Sequence, residues 1–308
     1  MAPTYTKVAV AGASGLLGKF IVDELLSSGY TVTAFTRSSK NNDKDNSNTP
    51  TFPSAVLVKE VNYTSPTSLE RALEGQDVLI STLTTTSLDL QYALFTAAIK
   101  VGVKRILPSE FGSDTTVPAN RDNPVYKQKI EVETWLAEQV KGTGTTYTSV
   151  INNVFLEWGL KANFLVNAKE KKISLWDGGE TEYSATPLSG VAKGVVGILK
   201  HPEETENRHV RIHGVVLTQK KLLRLSQNVV GEDGWTVDEP GTEGAEGKAW
   251  EVYTKEPGNV FGWILGFLQR AIFAEERRPR FEDGDSELLG VPRLTDAEVV
   301  EYIRQVAK

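Results

Sequence analysis

The chain has 308 residues, no cysteine and a formal net charge of −6 at pH 7. The charge argues against a protein that binds nucleic acid by neutralising phosphates, and the absence of cysteine excludes disulfides, thiolate nucleophiles and zinc–thiolate sites. No apolar run approaches the ~20 residues that cross a bilayer, and the first residues lack the pattern of a signal peptide, so we expect a cytoplasmic protein with no membrane or nucleic-acid partner.

The first predicted unit is a strand, a glycine turn and a helix. An apolar strand at 8–11 precedes the turn at 12–18, and an amphipathic helix is predicted near 15–28. In this context one glycine permits a tight turn, one lets backbone N–H groups approach a pyrophosphate, and one lets the helix lie close to the strand. The phosphate charge would then lie at the positive end of the helix dipole. The residues expected to contact a dinucleotide here are Gly12, Ser14, Gly15, Leu16, Leu17 and Gly18.

Short β-branched runs alternate with helical patterns through the first half of the chain. This alternation predicts an α/β fold, a doubly wound parallel sheet of the Rossmann type with helices on both faces. Further strands are predicted at 32–35, 55–60, 77–82, 105–107 and 147–151, and helices near 66–74, 87–101 and 123–140. The polar segment 38–53 has no hydrophobic period and is predicted to be a solvated loop.

The pattern becomes less regular after residue 155. We therefore expect an NAD(P)-binding Rossmann domain over 1–155 and a smaller C-terminal substrate-binding lobe over 156–308, with part of the second half, such as 187–215, returning to the Rossmann sheet. The predicted elements of this half are helices at 188–199, 218–230 and 295–307 and a strand at 210–212. Residues 231–247 are predicted to be an acidic loop, and the apolar run 260–268 a buried helix or pocket wall rather than an interaction patch.

The end of the second strand indicates which dinucleotide is bound. An acidic residue there binds the ribose 2′-hydroxyl of NAD, whereas an arginine accommodates the 2′-phosphate of NADP. The chain has Arg37, Ser38 and Lys40 at this point and no carboxylate. These are either solvated loop residues or a phosphate site, and the pattern favours NADPH because arginine forms charge-assisted hydrogen bonds with phosphate.

Further candidate contacts follow the next three strands, since ligands of open α/β sheets bind beyond the carboxyl ends of the strands. They are Thr82 and Leu83 after the fourth strand, Ser109 and Phe111 after the fifth, and Asn153 and Phe155 after the sixth. Phe111 and Phe155 would either wall the nicotinamide or substrate or pack in the core.

The helix predicted at 123–140 carries Tyr126 and Lys129 on one face, three residues apart. Position 130 is isoleucine, so this is not the Y-x-x-x-K pair of ordinary short-chain dehydrogenases, and Tyr126 is expected to pack rather than catalyse. A lysine beside a hydride-accepting carbon can protonate a developing enolate or phenolate when burial brings its pKa towards neutrality. Glu110 is given no acid/base role.

Several segments carry a family resemblance in the same order along the chain. They are the glycine turn, P-S-E-F-G at 108–112, an F-x-x-K-like motif at 126–129, N-x-F at 153–155 and L-G-x-P at 289–292. With these segments the chain resembles isoflavone-reductase-like enzymes, which belong to the NmrA-like group of atypical short-chain dehydrogenases. The resemblance implies NADPH-dependent reduction of a small aromatic, phenylpropanoid-like or enone substrate. It also implies that Lys129 is the general acid/base and a cofactor contact, and that the N-x-F turn lies beside the nicotinamide.

Two departures from the family pattern leave the substrate open. The family's Gly-Asp after strand three corresponds to 61–63, which lacks it, and Thr84 takes the place of a glycine after strand four. The pocket is expected to be apolar, with Trp158, Phe164, Trp263 and Phe267 among its residues. These side chains indicate bulk and aromaticity but no particular compound.

Two other functions fit the same sequence. One is a non-catalytic NAD(P)-sensing regulator of the NmrA type that binds a protein partner, and the other is isomerisation or dehydration with the same lysine. No metal site is expected, because the three histidines have no carboxylate pair close to them in the sequence. A monomer and a homodimer both stay open.

Overall fold

A fully parallel sheet of seven strands forms the centre of the computed structural model, which describes residues 5–37, 51–282 and 284–308. Its strands are β1 (Lys7–Ala11), β2 (Thr31–Arg37), β3 (Leu57–Val61), β4 (Val78–Ser81), β5 (Arg105–Leu107), β6 (Thr146–Ile151) and β10 (Arg208–Arg211). They lie in the order β10-β6-β5-β4-β1-β2-β3, and each neighbouring pair is parallel. This is the predicted doubly wound sheet, which is thereby confirmed.

Helices cover both faces of this sheet, which is why its central strands are apolar throughout. The helices are α1 (Leu16–Ser27), α2 (Pro66–Leu73), α3 (Leu90–Lys100), α4 (Pro118–Arg121), α5 (Pro124–Gln139) and α7 (Leu188–Lys200). One core joins α1 and α7 to the sheet through residues such as Val10, Ile21 and Val195. The other joins α2, α3 and α5 to the opposite face through residues such as Leu79 and Leu136.

A second layer with its own core stands beside the large sheet. It contains a three-stranded sheet, β11-β9-β7, and a two-stranded sheet, β12-β8. The strands are β7 (Val154–Phe155), β8 (Lys172–Ser174), β9 (Tyr183–Thr186), β11 (Val215–Leu217) and β12 (Thr236–Asp238). The helices are α6 (Leu156–Lys161), α8 (Gln219–Val230), α9 (Thr242–Lys255), α10 (Val260–Phe273) and α11 (Asp296–Val306).

Two elements from the second half of the chain belong to the large sheet. α7 packs on α1 in a shared core, and β10 forms the edge strand beside β6. The chain therefore returns to the first layer after building part of the second.

The structure corrects two predictions for the second half. The segment 231–247, predicted as a loop, contains β12 and the beginning of α9. The run 260–268 is helical as predicted but only one face is buried: Phe267 is fully buried in α10, whereas Phe261 is 93% exposed. Within the described ranges, no helix combines the length and the apolar character that crossing a bilayer requires.

Candidate active site

The glycine turn brings α1 against β1 at the carboxyl edge of the sheet. Gly12 has a φ of +84°, and a Cβ there would lie 2.6 Å from Oγ1 and 2.7 Å from the carbonyl oxygen of Thr82. A Cβ on Gly18 would overlap the backbone of Gly12 and Ala13. Both positions require glycine, the first for conformation and space and the second for space alone.

The turn leaves backbone donors free at the beginning of α1. Gly15 is the N-cap of α1, and no side chain in the described part of the chain caps this helix end. Ser14, Gly15 and Leu16 are exposed. The Gly15 N–H donates to the carbonyl of Gly12 at 2.9 Å and closes the turn, so the N–H groups that a ligand can reach are those of Ser14 and Leu16. Leu17 is buried, with its side chain in the core shared with α7, so it offers backbone only. This cradle fits a pyrophosphate.

Arg37 ends β2 and is exposed beyond the carboxyl edge of the sheet. It lies near Tyr63, whose pKa is raised to about 12 by burial while the Arg37 cation opposes the rise. An arginine at this point can accept a 2′-phosphate. The other two residues of the predicted phosphate site, Ser38 and Lys40, lie outside the described residues.

Hydrogen bonds hold the turns after β4 and β5 in place, and they involve Thr82, Leu83 and Ser109. The Thr82 N–H donates to the carbonyl of Ala11 at 2.8 Å. The Ser109 hydroxyl donates to the carbonyl of Leu83 at 2.8 Å, and the Ser109 N–H donates to Gln91 Oε1 at 2.8 Å. The hydroxyl proton of Ser109 is thus used inside the protein, and this side chain orients the turn.

Three chain segments meet at Asn153. Its N–H donates to the carbonyl of Gly112 at 2.8 Å, and its Nδ2 donates to the carbonyl of Pro279 at 2.8 Å. Asn153 has a φ of +51°, a left-handed conformation that asparagine tolerates better than most residues. Phe111 is buried in the core beneath, and Phe155 is half-buried against the same cluster. Both rings therefore pack in the core, one of the two roles expected for them.

Lys129 lies on α5 with its ammonium group against the turn after β5. Its Nζ donates to the carbonyl of Glu110 at 2.5 Å and to the carbonyl of Phe111 at 3.3 Å. Burial lowers the pKa of Lys129, and the Glu110 carboxylate opposes this shift. A lysine of lowered pKa in contact with backbone carbonyls is suited to holding and releasing a proton.

Tyr126 sits one turn before Lys129 and packs as predicted. Its ring belongs to a buried cluster with Trp263 and Phe267 of α10. Its buried hydroxyl has no hydrogen-bond partner among the described residues. Burial raises the pKa of Tyr126 to about 12, with Ser113 and Arg277 nearby opposing the rise.

Three further ionisable side chains, those of Glu110, Glu133 and His209, lie in this part of the structure and were not predicted to act together. Glu110 is 2% exposed, and neither of its carboxyl oxygens has a hydrogen-bond partner in the described ranges. Burial raises the pKa of Glu110 to about 7, against the lowering effect of the Lys129 cation. Glu133, one turn after Lys129 on α5, lies with Oε1 2.5 Å from Nε2 of His209 on β10. The spacing of Lys129 and Glu133 is visible in the sequence, but no local pattern brings His209 to them.

A cavity of about 970 Å³ opens near this region. It is lined by the loop 114–118, by residues around 177–182 and by the segment 275–282. Charged groups dominate it, including Arg211, whose Nε lies 2.6 Å from Oδ2 of Asp114. The expectation of an apolar pocket lined by the four aromatic side chains is wrong for this cavity. Trp158 and Phe164 pack in the core of the second layer, and Trp263 and Phe267 pack between α5, α9 and α10.

Comparison with known proteins gives matches over most of the chain. A model described as the NmrA-like family matches residues 4–236. "Oxidoreductase aprR" of Aspergillus flavus is 35% identical over 237 residues, which cover 75% of this chain and 76% of the relative. "Oxidoreductase poxI" of Penicillium oxalicum is 28% identical over 316 aligned positions, covering 99% and 96%. Among solved structures, AtPrR2 with NADP+ and (+)-pinoresinol has a TM-score of 0.75 at 20% identity, covering 99% of each chain.

Proposed function

The chain belongs to the NmrA-like family, as its sequence predicted, and from this premise we propose that it is an NADPH-dependent reductase of a small aromatic or enone substrate. The oxidoreductase class that the sequence predicted is confirmed by the two named oxidoreductases. The cofactor, the substrate class and the roles of individual residues rest on the arguments that follow.

The cofactor is held by the edge of the sheet that carries the glycine turn. The backbone of 12–18 takes the pyrophosphate, and Arg37 takes the 2′-phosphate. Two observations support NADPH: glycine is required where the cradle forms, and the end of β2 carries an exposed arginine. A solved structure of the same fold contains NADP+.

The reaction combines a hydride transfer with one proton transfer. NADPH supplies the hydride when bound, and the protein orients the acceptor and manages the proton. Lys129 is the general acid. Its ammonium group donates a proton to the substrate oxygen or carbon that becomes basic when the hydride is transferred. In the reverse direction the neutral amine accepts that proton. The backbone carbonyls of Glu110 and Phe111 hold Nζ in one place for both steps.

One observation carries this proposal: the partly buried Lys129 contacts the turn after β5, and the same turn binds Asn153. The P-S-E-F-G turn holds Lys129 through the carbonyl of Glu110 and holds Asn153 through the carbonyl of Gly112. A sensor of dinucleotide has no need of a proton donor at this place. A small aromatic substrate fits the family resemblance of these segments, and the solved structure of similar fold contains pinoresinol.

A two-stage experiment tests the proposal. Binding of NADPH and NADH to the purified protein is followed by nucleotide fluorescence, and NADPH oxidation is then followed by absorbance with a panel of aromatic enones and quinone methides. We expect NADPH to bind more tightly than NADH and at least one member of the panel to be reduced. Tight binding with no turnover on any member would favour the non-catalytic regulator instead. If neither nucleotide bound, both the reductase and the dinucleotide-sensing regulator would be excluded.

A further inference from the structure

We propose that Arg211 is a substrate-binding residue whose guanidinium group, held and neutralised by Asp114, donates hydrogen bonds to an uncharged oxygen of the substrate. This oxygen belongs to the end of the substrate that is remote from the hydride-accepting carbon, and that end enters the cavity of about 970 Å³. The inference rests on the proposed function, because it takes an aromatic enone to bind at this edge of the sheet. It adds the group that the substrate carries and the residue that recognises it.

Arg211 lies at the carboxyl edge of the sheet, beside the turn that Lys129 contacts. It is the last residue of β10, and its paired residue on β6 comes two positions before Asn153. Its partner Asp114 follows Gly112 by two residues, and the carbonyl of Gly112 binds the N–H of Asn153. A Cβ at Gly112 would lie 3.5 Å from Lys129 Nζ. The turn after β5 therefore connects the general acid to the loop that lines the cavity.

The guanidinium group of Arg211 is fixed on one side and open on the other. Its Nε donates to Asp114 Oδ2 at 2.6 Å, and its Nη2 donates to Thr116 Oγ1 at 2.7 Å. An arginine side chain has five N–H donors. The remaining three, two on Nη1 and one on Nη2, have no partner among the residues that the structure describes. Since the side chain is 33% exposed and lines the cavity, these donors can reach a ligand there.

Asp114 cancels the charge of this guanidinium group without using all of its donors. The second carboxylate oxygen of Asp114 accepts from the N–H of Thr116 at 2.8 Å and from its hydroxyl at 2.6 Å. Burial tends to raise the pKa of Asp114, but hydrogen bonds from Arg211 and Thr116 lower it overall, so the side chain is ionised at neutral pH. A guanidinium group paired in this way offers donors to a neutral oxygen and has little net attraction for an anion.

The other charges of the cavity also disfavour an anionic group. In the described ranges, six carboxylate side chains and three arginine side chains line it. Two of the arginines are paired, Arg211 with Asp114 and Arg280 with Glu182, and the third, Arg278, is exposed to solvent. The summed charge of this lining is negative, so it repels a carboxylate but not a ketone, ether or phenol oxygen.

A second wall of the cavity, the segment 275–282, is fixed to both layers of the molecule. The carbonyl of Pro279 accepts from Asn153 Nδ2 at 2.8 Å and from the N–H of Ser184 on β9 at 2.9 Å. The Ser184 hydroxyl oxygen accepts from the N–H of Phe281 at 3.0 Å. The cavity is thus formed before a ligand arrives, and a donor held in such a site loses little conformational freedom on binding.

Three probes of similar shape test this assignment. They are 4-phenylbut-3-en-2-ones with a para acetyl, isopropyl or carboxylate group, so they share the enone and differ only in the oxygen at the far end. Binding is measured by calorimetry without nucleotide and with NADP+, which has no hydride to give. The acetyl probe should bind about tenfold more tightly than the isopropyl probe. The carboxylate probe should bind no more tightly than the isopropyl probe.

Two variants separate recognition by Arg211 from a structural role. Arg211→Met should bind the acetyl and isopropyl probes equally, because it removes the donors. Asp114→Asn keeps the size of the side chain and leaves Arg211 with its full charge, so affinity for the carboxylate probe should rise by about tenfold. A damaged fold would weaken all three probes and could not produce this gain.

Arg280→Met is the matched control. It removes an arginine from another arginine–carboxylate pair that lines the same cavity. The ratio of acetyl to isopropyl affinity should change by less than about twofold in this variant. An equal loss of the preference in Arg280→Met and Arg211→Met would overturn the assignment to Arg211.

The remaining outcomes distinguish this site from the reductase. The assignment fails if Arg211→Met keeps the preference for the acetyl probe, or if Asp114→Asn binds the carboxylate probe no better than the unaltered protein does. It also fails if the unaltered protein does not prefer the acetyl probe, although reduction of an unsubstituted enone would then still support the proposed function. The expected pattern of binding with no NADPH oxidation on any enone would support the site and contradict the reductase.

Discussion

Two regions of the molecule differ in how the chain builds them. One is the glycine turn at 12–18, and the other, which we call the Lys129 cluster, consists of Glu110, Lys129, Glu133 and His209. The turn is made by seven consecutive residues, 12–18, and works through backbone groups and the space that missing side chains leave. The cluster is made by side chains from the turn after β5, from α5 and from β10, which tertiary packing alone brings together. A site made of backbone is encoded locally, whereas a site made of side chains depends on the whole sheet. The two should therefore fail in different ways when single residues are changed.

The largest effect is expected at Lys129. Lys129→Met keeps the length and apolar part of the side chain but removes the proton, so turnover should fall by about 10²–10⁴-fold. NADPH affinity should stay within about threefold, because the cofactor is held at the other region. Lys127→Met is the matched control, since Lys127 is an exposed lysine on the same helix. Full turnover in Lys129→Met would show that Lys129 is not the general acid.

Gly12→Ala should damage the turn and leave the cluster intact. Alanine at a φ of +84° is strained and would collide with Thr82, so the free energy of unfolding should fall by about 2–4 kcal/mol and NADPH affinity with it. Gly29→Ala is the control: Gly29 has a φ of +85° and a Cβ there would meet nothing within 4 Å. It should cost about 1 kcal/mol from strain alone. Urea unfolding and nucleotide fluorescence measure both, and equal losses in the two variants would refute the close approach to Thr82.

Arg37→Ala should reduce the preference for NADPH over NADH by about tenfold, since it removes charge-assisted hydrogen bonds to a solvent-exposed phosphate. NADH affinity should hardly change. The comparison is made by titrating both nucleotides, with Arg224→Ala, an exposed arginine on α8, as the control. An unchanged preference would assign the 2′-phosphate to residues other than Arg37.

The smallest effect is expected at Asp77, which directly precedes β4. It lies at the amino ends of the strands, whereas both regions lie beyond the carboxyl ends. Burial tends to raise the pKa of Asp77, but hydrogen bonds from Lys104 and from the N–H groups of Thr6 and Lys7 lower it to about 2. Because the folded pKa lies below the unfolded one, the stabilisation is present above about pH 4 and is lost as the pH falls towards about 2.

Asp77→Asn should therefore lower the free energy of unfolding at neutral pH by up to about 1 kcal/mol. The loss should shrink below about pH 4, where the aspartate itself becomes protonated. Thermal unfolding at several pH values measures this, with the exposed Asp89→Asn as control. Neither variant should change nucleotide affinity, and a change in Asp77→Asn would mean that the amino ends of the strands are linked to the turn.

The same contrast explains what the sequence could and could not predict. Strong local patterns predicted β1, α1 and α11, whose first turn carries a capping box of Thr295 and Glu298 in the structure. They failed at 231–247, because β12 is a three-residue strand stabilised by its pairing with β8, and no such partner is visible in a linear pattern. They also failed at the cavity, because aromatic residues at helical spacing pack against other helices as readily as they line a pocket.

Within the candidate site, the sequence predicted the features whose residues are close together in the chain. Lys129 and the segments at 108–112 and 153–155 are short motifs and could be recognised. The partnership of Glu133 with His209 joins α5 to an edge strand far along the chain. Nothing in the neighbourhood of either residue indicates the other. The burial of Glu110 was equally hidden, because a glutamate after a strand is ordinarily solvated.

The hydrogen bond from Asn153 to the carbonyl of Pro279 has a consequence for the order in which the protein is made. Because synthesis runs from the amino to the carboxyl end, the ribosome delivers the glycine turn at 12–18 long before it delivers Pro279. A nascent chain can thus fold a nucleotide cradle long before the left-handed turn at Asn153 gains its partner. Chains released early, before Pro279, would carry the first region complete and the second unfinished.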